Sequence, residues 1–150
     1  MTVMVPLVIV THPSLNVANL QELIKLLRES PGRYNYGSAG NGTSGHIACY
    51  LFADMIGAKV EHIPYKGTAP VMIDMVAGRL TYAFDAPSVL APQIQSGGLK
   101  AHAIATPSRL ALLPGVPIMP PYSRAETTRF MKAESDKWVP IVRASGARVD

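Results

Sequence analysis

Short apolar runs alternate with helical stripes along the first two thirds of the chain. The runs are rich in β-branched and aromatic residues and are bounded by glycine and proline, which is typical of strands. The predicted strands are Val3–Thr11, Arg33–Tyr36, Lys59–Pro64, Leu80–Phe84 and Lys100–Thr106. The stripes between them predict helices at Asn19–Ser30, Thr43–Ile56, Ala69–Ala77 and Pro87–Gln95. Repeated strand, loop and helix predict βαβ units, and therefore an α/β fold with a mostly parallel sheet and flanking helices.

The burial of two of these elements can also be predicted. The first strand is almost wholly apolar, so we expect it to be buried on both faces. Pro6 lies within it, so we expect either an edge strand or an irregular start. The second helix is expected to bury Ile47, Leu51 and Met55, which recur at helical spacing.

The last third of the chain has a different pattern. Pro107–Tyr122 is rich in proline and is predicted to be irregular. Ser123–Ser145 is predicted to form a long helix with Trp138 on its apolar face, kinked or divided at Pro140.

Composition limits the classes of protein to which the chain can belong. It has 150 residues, 48% of them apolar and 16% charged, which indicates one folded domain rather than a disordered chain. The net charge of +4 suits an anionic ligand, but the basic residues are scattered, which disfavours nucleic-acid binding. Cys49 is the single cysteine, so we expect no internal disulfide and a small buried side chain. No apolar run is long enough to span a membrane.

The most distinctive stretch is Tyr34–His46, which reads YNYGSAGNGTSGH and joins a predicted strand to a predicted helix. Glycines let the backbone adopt positive φ and approach a ligand closely. The start of a helix carries unpaired N–H groups and a partial positive charge, so a carboxylate or phosphate binds there readily. We therefore predict that Gly37–Ser44, called the glycine loop below, binds an acid. The alternative is an ordinary capped turn between strand and helix.

Known phosphate and nucleotide motifs fit this stretch poorly. No Gly-Lys-Ser/Thr follows, so it is not a Walker loop. Gly40, Gly42 and Gly45 match G-x-G-x-x-G, but no acidic ribose partner ends the next strand. Ser38 or Ser44 as a catalytic nucleophile would need a general base, which the sequence does not identify.

Two further loops are predicted to lie beside the glycine loop, because ligands bind beyond the carboxyl ends of the strands in an open parallel sheet. These loops are Pro64–Thr68 and Phe84–Pro87. Asp85 is predicted to be a ligand contact, the N-cap of the next helix, or both. Lys66 is either a cation for the acid or a solvated lysine.

The four histidines show no metal-binding pattern. His12, His62 and His102 are dispersed and lack H-x-x-x-H spacing, so no metal site is predicted. His46, in the first turn of its helix, is expected to be solvated or to be satisfied within the core.

Four segments together resemble the Bug family, the TctC-type extracytoplasmic receptors of tripartite tricarboxylate transport systems. The segments are Tyr34–His46, Pro64–Gly67, Phe84–Asp85 and Arg109–Pro117. The resemblance implies a lobe of the periplasmic binding protein type II fold. It also implies that the protein binds a small carboxylate and passes it to a membrane permease, without enzyme activity and without a cofactor.

The resemblance assigns a ligand-binding site to residues of this chain. The carboxylate clamp of the second lobe would be formed by Ser38, Ala39, Gly40, Asn41, Gly42 and Thr43. Asp85 would contact the rest of the ligand and help to set selectivity. The same cleft would be lined by Tyr65, Lys66, Gly67 and Thr68.

Parts of the family pattern have no counterpart in this sequence. The strand and glycine-rich loop that begin the first lobe are not matched, so the resemblance implies a second lobe with both hinge strands over residues 1–122. Residues 123–150 would then be the C-terminal helix that packs on the first lobe in the family. The family implies a periplasmic location, whereas Met1–Val10 lacks the features of a signal peptide, which favours the cytoplasm for the chain as given.

Two other interpretations stay open at this point. One is a truncated remnant that binds nothing and forms a homodimer through the Trp138 face. The other is an enzyme that acts on a phosphorylated small molecule, which would require a general base.

Overall fold

The computed structural model describes residues 6–105 and 110–119, and these belong to one compact unit that ends at Met119. The strands are β1 (Val8–Thr11), β2 (Asn35–Ser38), β3 (Glu61–Pro64), β4 (Tyr82–Asp85) and β5 (Lys100–Ile104). The α-helices are α1 (Leu20–Glu29), α2 (Ser44–Met55), α3 (Thr68–Val76) and α4 (Pro87–Gln95). A short 3-10 helix lies between β1 and α1. Each strand and α-helix overlaps the element that the sequence predicts.

The five strands form one sheet in the order β3-β2-β4-β1-β5. β2 pairs in parallel with both β3 and β4, as expected for βαβ units. β1 runs antiparallel to its two neighbours, β4 and β5. Four strands therefore share one direction and β1 opposes them, so the sheet is mixed, with two parallel and two antiparallel pairings. The predicted α/β fold with flanking helices is confirmed.

β1 lies inside the sheet, so the expectation of an edge strand is wrong. All four of its residues are fully buried, and the strand begins at Val8, beyond Pro6. Proline has no N–H to donate to a neighbouring strand, which explains why the ladder starts after it. The other expectation, an irregular start, holds for Pro6 and Leu7.

The hydrophobic core joins the sheet to α3 and α4. Val71 and Met75 of α3 and Leu90 of α4 lie in one buried cluster with Val8 and Val10 of β1. Burying an aliphatic side chain of this size stabilises the fold by about 1.5–3 kcal/mol. This packing fixes the starts of α3 and α4 relative to the strands that precede them.

α2 buries a different face from the predicted one. Met55 is 40% exposed, and Ile47 and Leu51 are only partly buried. The helix is apolar around much of its circumference, so apolar spacing alone does not identify the face that packs on the sheet. The buried residues are His46, Cys49, Phe52 and Ala53. The burial of the cysteine agrees with the role expected for it.

The segment 110–119 adds to the end of β5. Met119 N donates to Ile104 O at 2.7 Å, and Ile104 N donates to Pro117 O at 2.8 Å. The rest of the segment consists of turns, which agrees with the predicted irregular, proline-rich region. The predicted helix at 123–145, with its Trp138 face, lies outside the described residues. Of the helices described above, none is long and apolar enough to cross a membrane.

Candidate functional site

Three loops meet at the carboxyl ends of β2, β3 and β4. A cavity of about 240 Å³ lies there, smaller than the roughly 300–1,000 Å³ of pockets that take drug-sized ligands. It is lined by Gly37, Ser38, Ala39, Thr43, Ser44, Gly45, Thr68, Val71, Phe84 and Asp85. The predicted convergence is therefore observed for the ends of β2 and β4 and for the start of α3.

Hydrogen bonds among its own residues shape the glycine loop. The Ser38 hydroxyl donates to Gly40 O at 3.2 Å and accepts from Gly40 N at 3.3 Å. The Thr43 hydroxyl donates to Gly40 O at 2.8 Å and accepts from His46 N at 3.4 Å, which makes Thr43 the N-cap of α2. Gly42 has a φ of +79°, a conformation that is strained for residues with a side chain. The glycines and hydroxyl residues of the glycine loop therefore fold it into one tight turn.

Two backbone N–H groups at the start of α2 are left without a protein acceptor. These are the N–H groups of Ser44 and Gly45, for which no partner is found within residues 6–105 and 110–119. Both residues line the cavity. They are the first two residues of a 12-residue helix, where the partial positive charge of the helix dipole is located. The start of α2 is therefore electrostatically suited to an anion.

The loop after β3 is fastened to the glycine loop by backbone hydrogen bonds. Tyr65 N donates to Ser38 O, and Gly67 N donates to Ala39 O, both at 2.9 Å. The Tyr65 hydroxyl donates to Asp74 Oδ2 at 2.6 Å, and desolvation together with this bond raises the pKa of Tyr65 to about 12. The side chain of Tyr65 is thus engaged with α3 rather than with the cavity.

Asp85 brings a carboxylate to the cavity at the end of β4. Its Oδ1 accepts from Ala86 N at 2.7 Å. Partial burial raises the pKa of Asp85, and the Ala86 N–H and the nearby Thr68 side chain oppose the rise. The N-cap of α4 is Ala86, without a side-chain cap, so the alternative that Asp85 is the N-cap is wrong.

Two histidines that are distant in the sequence stack against each other beside the glycine loop. The ring centroids of His46 and His62 are 4.1 Å apart, with their planes 14° apart. His46 Nδ1 accepts from Gly42 N at 3.0 Å, and His62 Nε2 lies 2.7 Å from Ser38 Oγ. His46 is only 7% exposed, which confirms the expectation that it is satisfied within the core. In the described part of the chain, no group of three or more His, Cys, Asp or Glu residues is arranged to hold a metal ion.

Some of the predicted site residues line the cavity and others do not. Those that line it are Ser38, Ala39, Thr43, Thr68 and Asp85. Gly40, Asn41 and Gly42 belong to the same loop but lie outside the lining, as do Tyr65, Lys66 and Gly67. The Lys66 side chain is exposed. Gly40, Gly42, Tyr65 and Gly67 instead take part in the hydrogen bonds that shape these loops.

The predicted site residues leave out Gly45, and Ser44 enters the prediction only as the last residue of the glycine loop, whereas both line the cavity. The signal for Gly45 is the N-cap at Thr43, because the first N–H groups after a capping residue have no acceptor within the helix. The pairing of His46 with His62 was not predicted from the sequence. That pairing depends on the parallel register of β2 and β3, which places Tyr36 opposite His62.

The chain is similar to known proteins over most of its length. The family described as "Tripartite tricarboxylate transporter family receptor" (TctC) matches residues 1–131. Protein BugT of Bordetella pertussis is 34% identical over 115 residues, which are 77% of this chain and 35% of that protein. A UPF0065 protein of Agrobacterium vitis is 31% identical over 113 residues, which are 75% of this chain and 33% of that protein. The chain thus spans about a third of the length of these curated relatives.

The fold of this chain is also similar to those of solved structures. A structure described as that of a periplasmic transporter is 33% identical, with a TM-score of 0.72 over 76% of this chain and 38% of that chain. A protein of R. palustris solved with adipate is 27% identical, with a TM-score of 0.75 over 86% of this chain and 48% of that chain.

Proposed function

The chain belongs to the tripartite tricarboxylate transporter family of receptors, and on this premise we propose that it captures a small carboxylate at the start of α2. The observation that carries the proposal is the pair of N–H groups of Ser44 and Gly45, which have no acceptor in the described part of the protein and belong to residues that line the cavity. The similarity to an R. palustris protein solved with adipate supports a carboxylate as the ligand class.

In this proposal the acid is held mainly by backbone groups. One carboxylate group accepts hydrogen bonds from Ser44 N and Gly45 N, within the positive end of the α2 dipole. Hydrogen bonds to a charged acceptor contribute about 1.5–3 kcal/mol each. The hydroxyl groups of Ser38 and Thr43 already donate to Gly40 O, so their role is to keep the glycine loop in the shape that presents these amides.

Asp85 would discriminate among ligands by the group that reaches it. An ammonium or hydroxyl group donates to the ionised form of Asp85. The second carboxylate of a dicarboxylate ligand is repelled by the ionised form of Asp85. It can bind when one proton is shared between the two carboxyl groups, and the raised pKa of Asp85 favours this protonated pair. Asp85 is therefore proposed to set selectivity for the end of the ligand opposite the α2 amides.

The proposed receptor captures its ligand without converting it. Ser38 Oγ lies 2.7 Å from His62 Nε2, an arrangement that resembles part of a nucleophile–base pair. The same oxygen, however, is engaged by both Gly40 N and Gly40 O. We therefore assign Ser38 to loop structure and not to nucleophilic attack. Hydrolysis of p-nitrophenyl acetate that is lost in Ser38→Ala would contradict this assignment.

We propose the transport partner and the cellular location of the protein from its family. The partner would be the membrane permease of a transport system, and the location would be the periplasm. Because the chain spans about a third of its curated relatives, the cavity described above is proposed to be one side of a larger cleft. A one-sided site buries less of the ligand, so we expect weak binding, in the micromolar to millimolar range.

A thermal-shift screen of the purified chain tests the proposal. The panel contains adipate, succinate, citrate, benzoate and glutamate, with phosphate and AMP to cover the alternative of a phosphorylated substrate. A ligand at 100 times its Kd stabilises the folded state by about 2.7 kcal/mol, which is roughly 8 °C for a domain of this size. A saturable rise with one or more carboxylates is expected. A rise with phosphate or AMP alone, or with none of the panel, would contradict the proposal.

A further inference from the structure

The conformation of the glycine loop depends on two side chains outside the loop. Ser38 and Gly42 lie near its two ends, and each is hydrogen-bonded to a different histidine. Gly42 N donates to His46 Nδ1 at 3.0 Å, and the Ser38 hydroxyl pairs with His62 Nε2 at 2.7 Å. Neither histidine lines the cavity. These hydrogen bonds therefore join both histidines to the loop rather than to the cavity wall.

The two imidazoles are themselves held in place by ring stacking. His62 stacks on His46 and on Tyr36, with centroid distances of 4.1 Å and 4.8 Å and ring planes within 17° of parallel, and the centroids of Tyr36 and His46 are 6.5 Å apart. Tyr36 belongs to β2, His62 to β3 and His46 to the first turn of α2. The stack thus connects the two strands with the helix whose start faces the cavity.

The hydrogen bond from Gly42 N–H defines the protonation state of the His46 ring. A backbone N–H is always a donor, so His46 Nδ1 must be unprotonated to accept from it. His46 in this arrangement is therefore the neutral tautomer with its proton on Nε2. Gly42 N–H is correspondingly occupied by His46 and is not available to an anion.

We propose that His46 and His62 are positioning residues for the anion site, which hold the glycine loop in the shape that presents the α2 amides to a carboxylate. This inference rests on the proposed function for its effect on binding. Its structural part, the acceptor role of His46 Nδ1, is independent of any ligand.

Paired variants distinguish the effect of the histidine hydrogen bonds on binding from the effect of ring packing. His46→Asn retains an acceptor near the position of Nδ1, whereas His46→Leu fills the space without an acceptor. His62→Gln retains a polar atom near the position of Nε2, whereas His62→Phe retains a stacking ring without it. The probe is adipate, and its Kd is measured by calorimetry on the full chain, with the melting temperature recorded for each variant.

We expect His46→Leu and His62→Phe to raise the Kd for adipate by about five- to tenfold, since the loss of one hydrogen bond costs roughly 1 kcal/mol. His46→Asn and His62→Gln should stay within about twofold of the unaltered chain. Equal losses in the conservative and the apolar variants would assign the histidines to packing alone and overturn the inference. Unchanged Kd values in His46→Leu and His62→Phe would also overturn it.

A ligand-free measurement keeps this inference distinct from the proposed function. Imidazole ¹⁵N spectra of the unliganded chain should show His46 as the Nε2–H tautomer with Nδ1 as an acceptor. Gly42 amide exchange should accelerate in His46→Leu and not in His46→Asn. If the unaltered chain binds no acid, the proposed function fails, and these spectra alone decide whether His46 positions the loop. A protonated His46 Nδ1, or Gly42 exchange that is equal in both variants, would refute that role.

Discussion

A β-carbon at Gly45 would lie 2.6 Å from the carbonyl oxygen of Phe84. The first turn of α2 therefore rests directly on the end of β4, at a distance that only glycine allows. This contact brings the amides of Ser44 and Gly45 next to the strand that ends in Asp85. The candidate site depends on that close approach.

Gly45→Ala should destabilise the protein and weaken acid binding. Alanine in a helix is normally more stable than glycine by about 0.8–1 kcal/mol, but the clash here is with a backbone atom that cannot rotate away. We expect a net loss of about 1–3 kcal/mol, as for overpacked cores, measured as a lower urea midpoint at unchanged slope. Gly115→Ala is the control, because a β-carbon there meets nothing within 4 Å. Equal midpoints for the two variants would show that α2 can move away from β4 at no cost.

Asp85→Asn should change ligand preference without destabilising the fold. Burial raises the pKa of Asp85, so the wild type gains stability as the pH falls through that pKa, and the asparagine variant should lack this gain. Removal of the like charge should strengthen the binding of dicarboxylates such as adipate several-fold at neutral pH, and should weaken that of amino acids such as glutamate. Calorimetry with both ligands measures the change in preference. The exposed Asp54 of α2 supplies the control Asp54→Asn, and the same change in preference there would indicate a general charge effect.

His102 should make the fold sensitive to acid. It is 4% exposed and bonded to Thr11 Oγ1 at 2.8 Å, and burial, with a smaller effect of Lys100, lowers the pKa of His102 from 6.5 to about 4. Between these values the unfolded chain takes up a proton that the folded chain does not. The contribution of neutral His102 to the free energy of unfolding is therefore fully present above about pH 6.5, and it is lost as the pH falls toward 4. The loss from this group should be about 2 kcal/mol, somewhat less than the full shift because of residual solvent screening.

Urea unfolding at several pH values, compared with His102→Gln, measures this loss. Glutamine retains a polar group that can reach Thr11 and does not titrate. The difference in stability between the two proteins should shift by about 2 kcal/mol between pH 7 and pH 4. Parallel pH curves would mean that His102 does not contribute to acid sensitivity.

Local sequence patterns were sufficient to predict most elements, and the strand order they imply was sufficient to predict which loops meet. The start of α1 is an example, since the helix predicted at Asn19–Ser30 is observed at Leu20–Glu29, with Glu22 N donating to Asn19 Oδ1 at 3.0 Å as a cap. The glycine loop, Asp85 and Thr68 meet as expected, because the carboxyl ends of parallel strands lie at one edge of the sheet. The elements could be predicted because each depends on residues that are close together in the chain, and the meeting of the loops follows from the general geometry of parallel strands.

Features that depend on tertiary contacts could not be predicted in the same way. The central antiparallel position of β1 is set by its pairing with strands more than 70 residues away, and no local pattern encodes that choice. The buried face of α2 is set by contact with the sheet, because apolar residues occupy several sides of the helix. The stack of His46 on His62 requires the register of β2 with β3, which the sequence does not specify.

The central claim is that the backbone N–H groups at the start of α2 hold the acid, and Ser44 provides the most direct test. Proline is well tolerated at the first position of a helix, and Thr43 has a φ of −68° and a ψ of 158°, which suit a residue that precedes proline. Ser44→Pro therefore removes one amide proton with little effect on the fold, and Ser44→Ala removes only the hydroxyl group.

The measurement is the calorimetric Kd of these two variants for the carboxylate that gives the largest thermal shift. Ser44→Ala should bind within about twofold of the unaltered chain. Ser44→Pro should bind at least tenfold more weakly at a similar melting temperature, since a hydrogen bond to a charged acceptor contributes about 1.5–3 kcal/mol. Equal affinities in the two variants would contradict the account and place the acid elsewhere.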